Sequence, residues 1–138
     1  MNSSKRITET NDRKVILSTL WIFVLFNYLY ADFLTMVLNP VAMTNMAKRM
    51  TEGVMLGWVV LMETAIAMIV LSRILKYRAN RWANIIVGVV QTAAVAWTLL
   101  GGVPRLYYMV FAAVEIACTV FIVWYAWTWR PQDAPVGS

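Results

Sequence analysis

Four long apolar runs constrain this chain more than any other feature. They cover residues 15–38, 54–75, 83–100 and 106–129, and each comes near the roughly 20 residues that an α-helix needs to cross about 30 Å of hydrocarbon. Lipid offers a peptide group no hydrogen-bond partner, so such spans must be helices, whose backbone groups pair within one segment. The connectors are short and punctuated: Asn39-Pro40 stops the first run, Gly53 precedes the second, and Gly101-Gly102-Val103-Pro104 turns the third into the fourth. Short connectors make consecutive helices antiparallel neighbours. The expected fold is an all-α, integral membrane four-helix bundle of antiparallel up-down topology. It forms a single domain over residues 15–130, with a polar leader at 1–14 and a polar tail at 131–138.

The first run could be mistaken for a secretory signal. It is too long for one and has no small-x-small cleavage pattern near its end, where the chain reads Met36-Val37-Leu38-Asn39-Pro40, so it is read as an uncleaved span. A hydrophobic content of 61% with only 14% charged residues is also foreign to soluble domains.

The basic residues set the expected orientation. Lys5, Arg6, Arg13 and Lys14 precede the first span, Arg73, Lys76, Arg78 and Arg81 surround the second connector, and Arg130 follows the last span, nine in all. Lys48, Arg49 and Arg105 fall on the opposite side. The excess of Lys and Arg on one side puts both termini in the cytoplasm of a cell whose inner, or plasma, membrane holds the chain. A net charge of +5 therefore reflects topology, and no nucleic-acid partner is expected. Trp82, Trp124, Trp127 and Trp129 read as an inner interfacial belt, and Trp58, Tyr107 and Tyr108 as an outer one.

Each span carries a strongly polar side chain near its middle: Asn27, Glu63, Gln91 and Glu115. At about 1.5 Å per residue these lie roughly 12 to 21 Å from the cytoplasmic end, within one central layer. Helical spacing groups Asn27, Ala31 and Thr35 on one face of the first span, flanked by Tyr28 and Asp32. It also groups Asn84, Gly88, Gln91 and Thr98 on the third, and Tyr108, Ala112, Glu115, Cys118 and Thr119 on the fourth. These faces are expected to point inward, with Gly88 admitting a neighbouring backbone. Glu63 has apolar company on its own helix, and Asp32 lies near the outer interface, where Arg105 or tyrosine hydroxyls would pair with it.

No Lys or Arg shares the central layer. A charged glutamate there costs about 2.5–3.5 kcal/mol, and neutralising it at pH 7 from a reference pKa near 4.3 costs roughly 3.7 kcal/mol. The two costs are similar and leave both forms open, and desolvation with a second nearby carboxyl would favour a shared proton if Glu63 and Glu115 face each other. A weak internal echo, Glu63-Thr64-Ala65 against Glu115-Ile116-Ala117, would fit two helical hairpins. Gly53 and Gly57 form a small-xxx-small pair suited to close packing inside the bundle or to self-association.

Several chemistries lack their residues. The sequence has no histidine and one cysteine, Cys118, which removes intrachain disulfides, His-ligated haem and most zinc or copper sites. Cys118 reads as a small packing residue. No P-loop, dinucleotide glycine pattern, Ser-x-x-Lys or nucleophile elbow occurs. No catalytic residue, metal site or cofactor is assigned.

The stretches Leu17-Ser18-Thr19-Leu20-Trp21, Tyr28-Leu29-Tyr30-Ala31-Asp32, Asn80-Arg81-Trp82-Ala83-Asn84 and Ile122-Val123-Trp124-Tyr125-Ala126-Trp127 resemble an uncharacterised family of small bacterial four-helix membrane proteins, a domain of unknown function. The likeness covers nearly everything between the polar tails. It implies a bacterial inner-membrane helical protein, similar in size and layout to DoxX-like proteins, and it brings no activity or site residue.

Two function classes follow. In the first, Glu63, Glu115, Asn27 and Gln91, with Tyr28 and Asp32, form a binding or transport site for a proton, a cation or a small amphiphilic ligand. Four helices are few for transport, so a homodimer or a membrane-protein partner would be needed. In the second, the polar layer only sets helix packing in an accessory or structural subunit, and the basic segment from Arg73 to Arg81 docks on anionic lipid or a partner. An enzyme acting on lipid or quinone is a weaker third reading, since no nucleophile supports it.

Overall fold

A computed structural model describes residues 3–100 and 105–130, and these are helical without a strand among them. Five helices follow in order among the described residues: α1 (Ser3–Leu38), α2 (Pro40–Arg49), α3 (Glu52–Ile74), α4 (Tyr77–Leu100) and α5 (Leu106–Trp127). Helices α1, α3, α4 and α5 are each long and apolar enough to cross a membrane. The expected turn at 101–104 and the tail at 131–138 lie outside the described residues.

Three boundaries differ from the sequence expectation. The polar leader is continuous with the first span in one helix of 36 residues, about 54 Å long and hence far longer than a hydrocarbon core is thick. Helix α4 begins at Tyr77, so Arg78 and Arg81 stand on its first turns instead of in a loop. Helix α2 is new. Asn39-Pro40 ends α1 as expected, but it also starts α2: the Asn39 side chain accepts from Ala42 N at 3.4 Å, Pro40 takes the first turn, and Lys48 and Arg49 occupy the last. Thr51 caps α3 in the same way, its hydroxyl accepting from Val54 N at 3.4 Å.

Helices α1 and α4 each pack on α3 and α5. Between α1 and α5, Arg13 donates to Tyr125 O at 3.3 Å with its guanidinium over the Tyr125 ring, and Tyr107 reaches Thr35 Oγ1 at 3.5 Å. Between α4 and α5, Arg81 donates to Trp127 O at 3.2 Å, Thr92 and Thr119 share a 2.7 Å hydrogen bond, and Tyr108 donates to Thr98 Oγ1 at 3.0 Å. Across the middle, Trp21 and Tyr28 of α1 bond to Asn84 and Gln91 of α4.

The buried face of α1 carries Leu17, Trp21, Val24, Tyr28 and Ala31. It is rotated from the expected Asn27 stripe, because two large aromatic side chains with polar tips fill the interior and find partners there. Trp129 also departs from expectation. It is fully buried, set edge-to-face on Tyr77 at 5.2 Å, and its carbonyl accepts from the Tyr77 hydroxyl at 2.8 Å. It closes one end of the core, whereas Trp82, Trp124 and Trp127 are exposed as belt residues are.

Gly88 lies at a close approach of α4 and α5: a Cβ there would stand 2.6 Å from Val123 Cγ2 and 3.5 Å from Thr119 O. Gly88→Leu should therefore lower stability by about 1–3 kcal/mol, the usual range for overpacking. Reversible unfolding in mixed micelles measures it. Gly53 and Gly57 have nothing within 4 Å of an added Cβ, so no part of the chain uses them for close packing among the described residues.

Candidate functional site

The interior polar groups divide into two sets. The first, towards the Arg73 end of the helices, is closed. Asn84 Oδ1 accepts from Trp21 Nε1 at 2.8 Å and from Ser72 Oγ at 3.3 Å, while Asn84 Nδ2 donates to Asn80 O at 2.9 Å and Asn80 Oδ1 at 2.7 Å. Asn80 Nδ2 donates to Ser72 O at 2.6 Å. Ser18 donates to Ile69 O at 2.8 Å and accepts from Arg73 Nε at 3.2 Å. Ser18, Trp21, Ser72, Asn80 and Asn84 are fully buried, and their bonds tie α1, α3 and α4 together. A network with its members paired specifies helix register and holds no free group for a ligand.

The second set surrounds a cavity of about 570 Å3. Tyr28 and Asp32 of α1, Glu63 of α3, Gln91 of α4 and Glu115 of α5 all line it, with Thr98 and Tyr108. Met43 and Met46 of α2, Met50, Met55 and Met62 supply much of the apolar wall, with Trp58 and Val59. Five of the six candidate residues therefore meet at one cavity.

Their conditions differ. Gln91 is fully buried and engaged at both ends: Nε2 donates to Leu61 O at 2.7 Å and Oε1 accepts from the Tyr28 hydroxyl at 3.2 Å. Tyr28 and Gln91 thus brace the wall. Glu115 is 5% exposed, and its Oε1 is buried without a hydrogen-bond partner. Asp32 and Glu63 are exposed side chains at the cavity margin. Among the described residues Asp32 forms neither the ion pair with Arg105 nor the tyrosine contact expected of it; Tyr107 and Tyr108 donate to Thr35 and Thr98 instead. The inward face of α5, with Ala112, Glu115, Cys118 and Thr119, is buried, as are Asn84, Gly88 and Gln91 of α4.

Asn27 does not join this group. It is half-buried, lies outside the cavity lining, and donates from Nδ2 to Phe23 O at 3.0 Å within its own helix. That local bond lowers the cost of facing away from the core. The methionine wall was not anticipated. Its signal was present in the spacing of Met43, Met46 and Met50, which lies on one helical face once Asn39-Pro40 is read as a helix start.

The sequence matches a family description over residues 5–135, almost the whole chain. The chain belongs to DUF6326, a family of unknown function. No curated protein and no solved structure matches it. Membership of DUF6326 assigns no chemistry, so the reading of this DUF6326 cavity rests on its own geometry. Among the described residues, no three His, Cys, Asp or Glu side chains converge closely enough to hold a metal ion. A buried, unpaired carboxyl oxygen beside an apolar, thioether-rich wall can bind a proton or a positively charged group, and it can fix the orientation of an amphiphile.

Proposed function

We propose that this chain is a multi-pass protein of a bacterial inner membrane that binds a small ligand in the cavity around Glu115, as a binding or transport module. The observation that carries the reading is the Glu115 carboxyl: 95% buried, without a hydrogen-bond partner at Oε1, and on a residue that lines a cavity together with Asp32 and Glu63. An acid in that position is costly to a protein that needs it only for packing, since an amide would satisfy the same role. The ligand is a proton, a cation or a small amphiphile.

The proposal includes an antiparallel up-down arrangement of the four spans with both termini cytoplasmic. Support for the topology comes from the paired contacts, in which α5 positions fall as α1 and α4 positions rise. Support for the orientation comes from the nine Lys and Arg grouped on one side. Transport would add a second copy or a partner subunit, and the open Gly53 and Gly57 face suits self-association. The alternative of an accessory subunit is favoured only by the closed Asn84 network, which accounts for Asn80 and Asn84 and leaves Glu115 without a role.

Hydrophobic carbodiimides attack protonated carboxyls in apolar surroundings. Treatment of the full chain in mild detergent, followed by peptide-resolved mass spectrometry, should modify Glu115, and Glu115→Gln should abolish that modification. Absence of label at both Glu115 and Glu63 across neutral pH would sink the reading.

A further inference from the structure

Resting on the cavity reading above, we infer that the ligand is a lipophilic organic cation, whose charge is neutralised by Glu115 and whose apolar body lies against the methionine wall. Four observations narrow the class. The lining carries three carboxyl side chains and no Lys or Arg among the described residues, which disfavours an anion. Gln91 and Tyr28 are already bonded within the chain, so a neutral polar ligand such as a sugar would find few open hydrogen-bonding groups. The carboxyls do not converge into a cluster that could hold a metal ion, whereas an organic cation with spread charge needs one counter-charge and a large apolar contact. Glu115 offers that counter-charge, since its Oε1 is buried and unpaired.

The walls fit the rest of such a molecule. About 570 Å3 lies within the 300–1,000 Å3 typical of small-molecule sites. Methionine side chains are unbranched and polarisable, so a wall built from them adapts to ligands of differing shape. Tyr28, Trp58 and Tyr108 add ring faces and edges, and a cation over an aromatic face in a desolvated site gains further attraction. The inferred selectivity is therefore for charge sign and apolar bulk, with tolerance of outline.

Tetraphenylphosphonium and tetraphenylborate share shape and apolar area and differ in sign, so they test the inference as a matched pair. The full chain is placed in nanodiscs of zwitterionic lipid, with empty discs as the blank, and equilibrium binding is measured. Saturable binding of tetraphenylphosphonium is expected, without saturable binding of tetraphenylborate. Glu115→Gln should weaken it at least tenfold, about 1.4 kcal/mol. The wild-type comparison stands even if that variant does not fold.

Equal binding of both ions, or binding unchanged in folded Glu115→Gln, overturns the cation assignment and leaves a binding cavity standing. So does binding of silver(I), which thioethers favour, without binding of tetraphenylphosphonium. Failure of both ions to bind while Glu115 still reacts with carbodiimide overturns this inference alone. Failure of both together with absent labelling overturns the cavity reading as well.

Discussion

Asn84→Leu should lower the free energy of unfolding by about 2–4 kcal/mol. Asn84 makes four hydrogen bonds, two accepted from Trp21 and Ser72 and two donated to Asn80. Interhelical bonds in membrane proteins average only about 0.6 kcal/mol, because the unfolded chain in lipid also finds partners. The two bonds of Asn84 that cross helices, from Trp21 and Ser72, come to about 1.2 kcal/mol at that value, and the two to Asn80 lie within α4. The rest of the range arises because leucine leaves the Trp21 indole N–H without its acceptor in a fully buried site, and an orphaned donor costs about 1–3 kcal/mol. Unfolding by denaturing detergent in mixed micelles measures the difference. A change under about 0.6 kcal/mol, one average bond, would mean that the network does not fix the α1, α3 and α4 register.

Trp21→Ala should cost about 3 kcal/mol. Truncation of a buried tryptophan in a water-soluble core costs about 3–5 kcal/mol, from lost transfer free energy and from the cavity left behind. In lipid the transfer term shrinks, since acyl chains solvate an indole ring nearly as well as a core does. The cavity term remains, because Trp21 is 0% exposed among Leu17, Val24 and the facing helices. Trp21→Phe keeps most of the volume and removes the 2.8 Å bond to Asn84, and should cost about 1–2 kcal/mol. A double-mutant cycle of Trp21→Phe with Asn84→Leu should show coupling above about 0.5 kcal/mol. Neither residue lines the cavity, so folded protein carrying either change should keep the proposed binding of tetraphenylphosphonium. Loss of binding in a folded variant would join the two polar sets that the geometry separates.

That separation changes what the interior acids and amides mean. Read along the chain, Asn27, Glu63, Gln91 and Glu115 form one central layer of polar groups, and Asn84 shares the Gln91 face. In three dimensions Asn84 and Gln91 are bonded at both ends, and Glu115 is not. A side chain's distance along a helix predicts its depth, but its partners come from other helices. Asn27 illustrates the limit. Depth and residue type made it a candidate, yet one bond to Phe23 O lets it face outward while Trp21 and Tyr28 take the interior. Glu63 and Glu115 occupy corresponding positions in the internal echo, but one is exposed and the other buried, since α3 buries only Ala65, Met68 and Ser72 whereas α5 is buried along a full stripe.

The sequence by itself determined the four long apolar helices and the depth of each polar side chain along them. Those properties depend on hydrophobic run length, residue type and rise per residue, which are local. It also held the signal for α2, in an Asn-Pro pair that stops one helix and caps the next. Only the tertiary structure decided which face of α1 turns inward, that five methionines wall a cavity, and that Glu115 is left as its unpaired buried acid. The physical reason is that helix rotation is set by competition among side chains of different helices for one interior, and no local pattern encodes the winner.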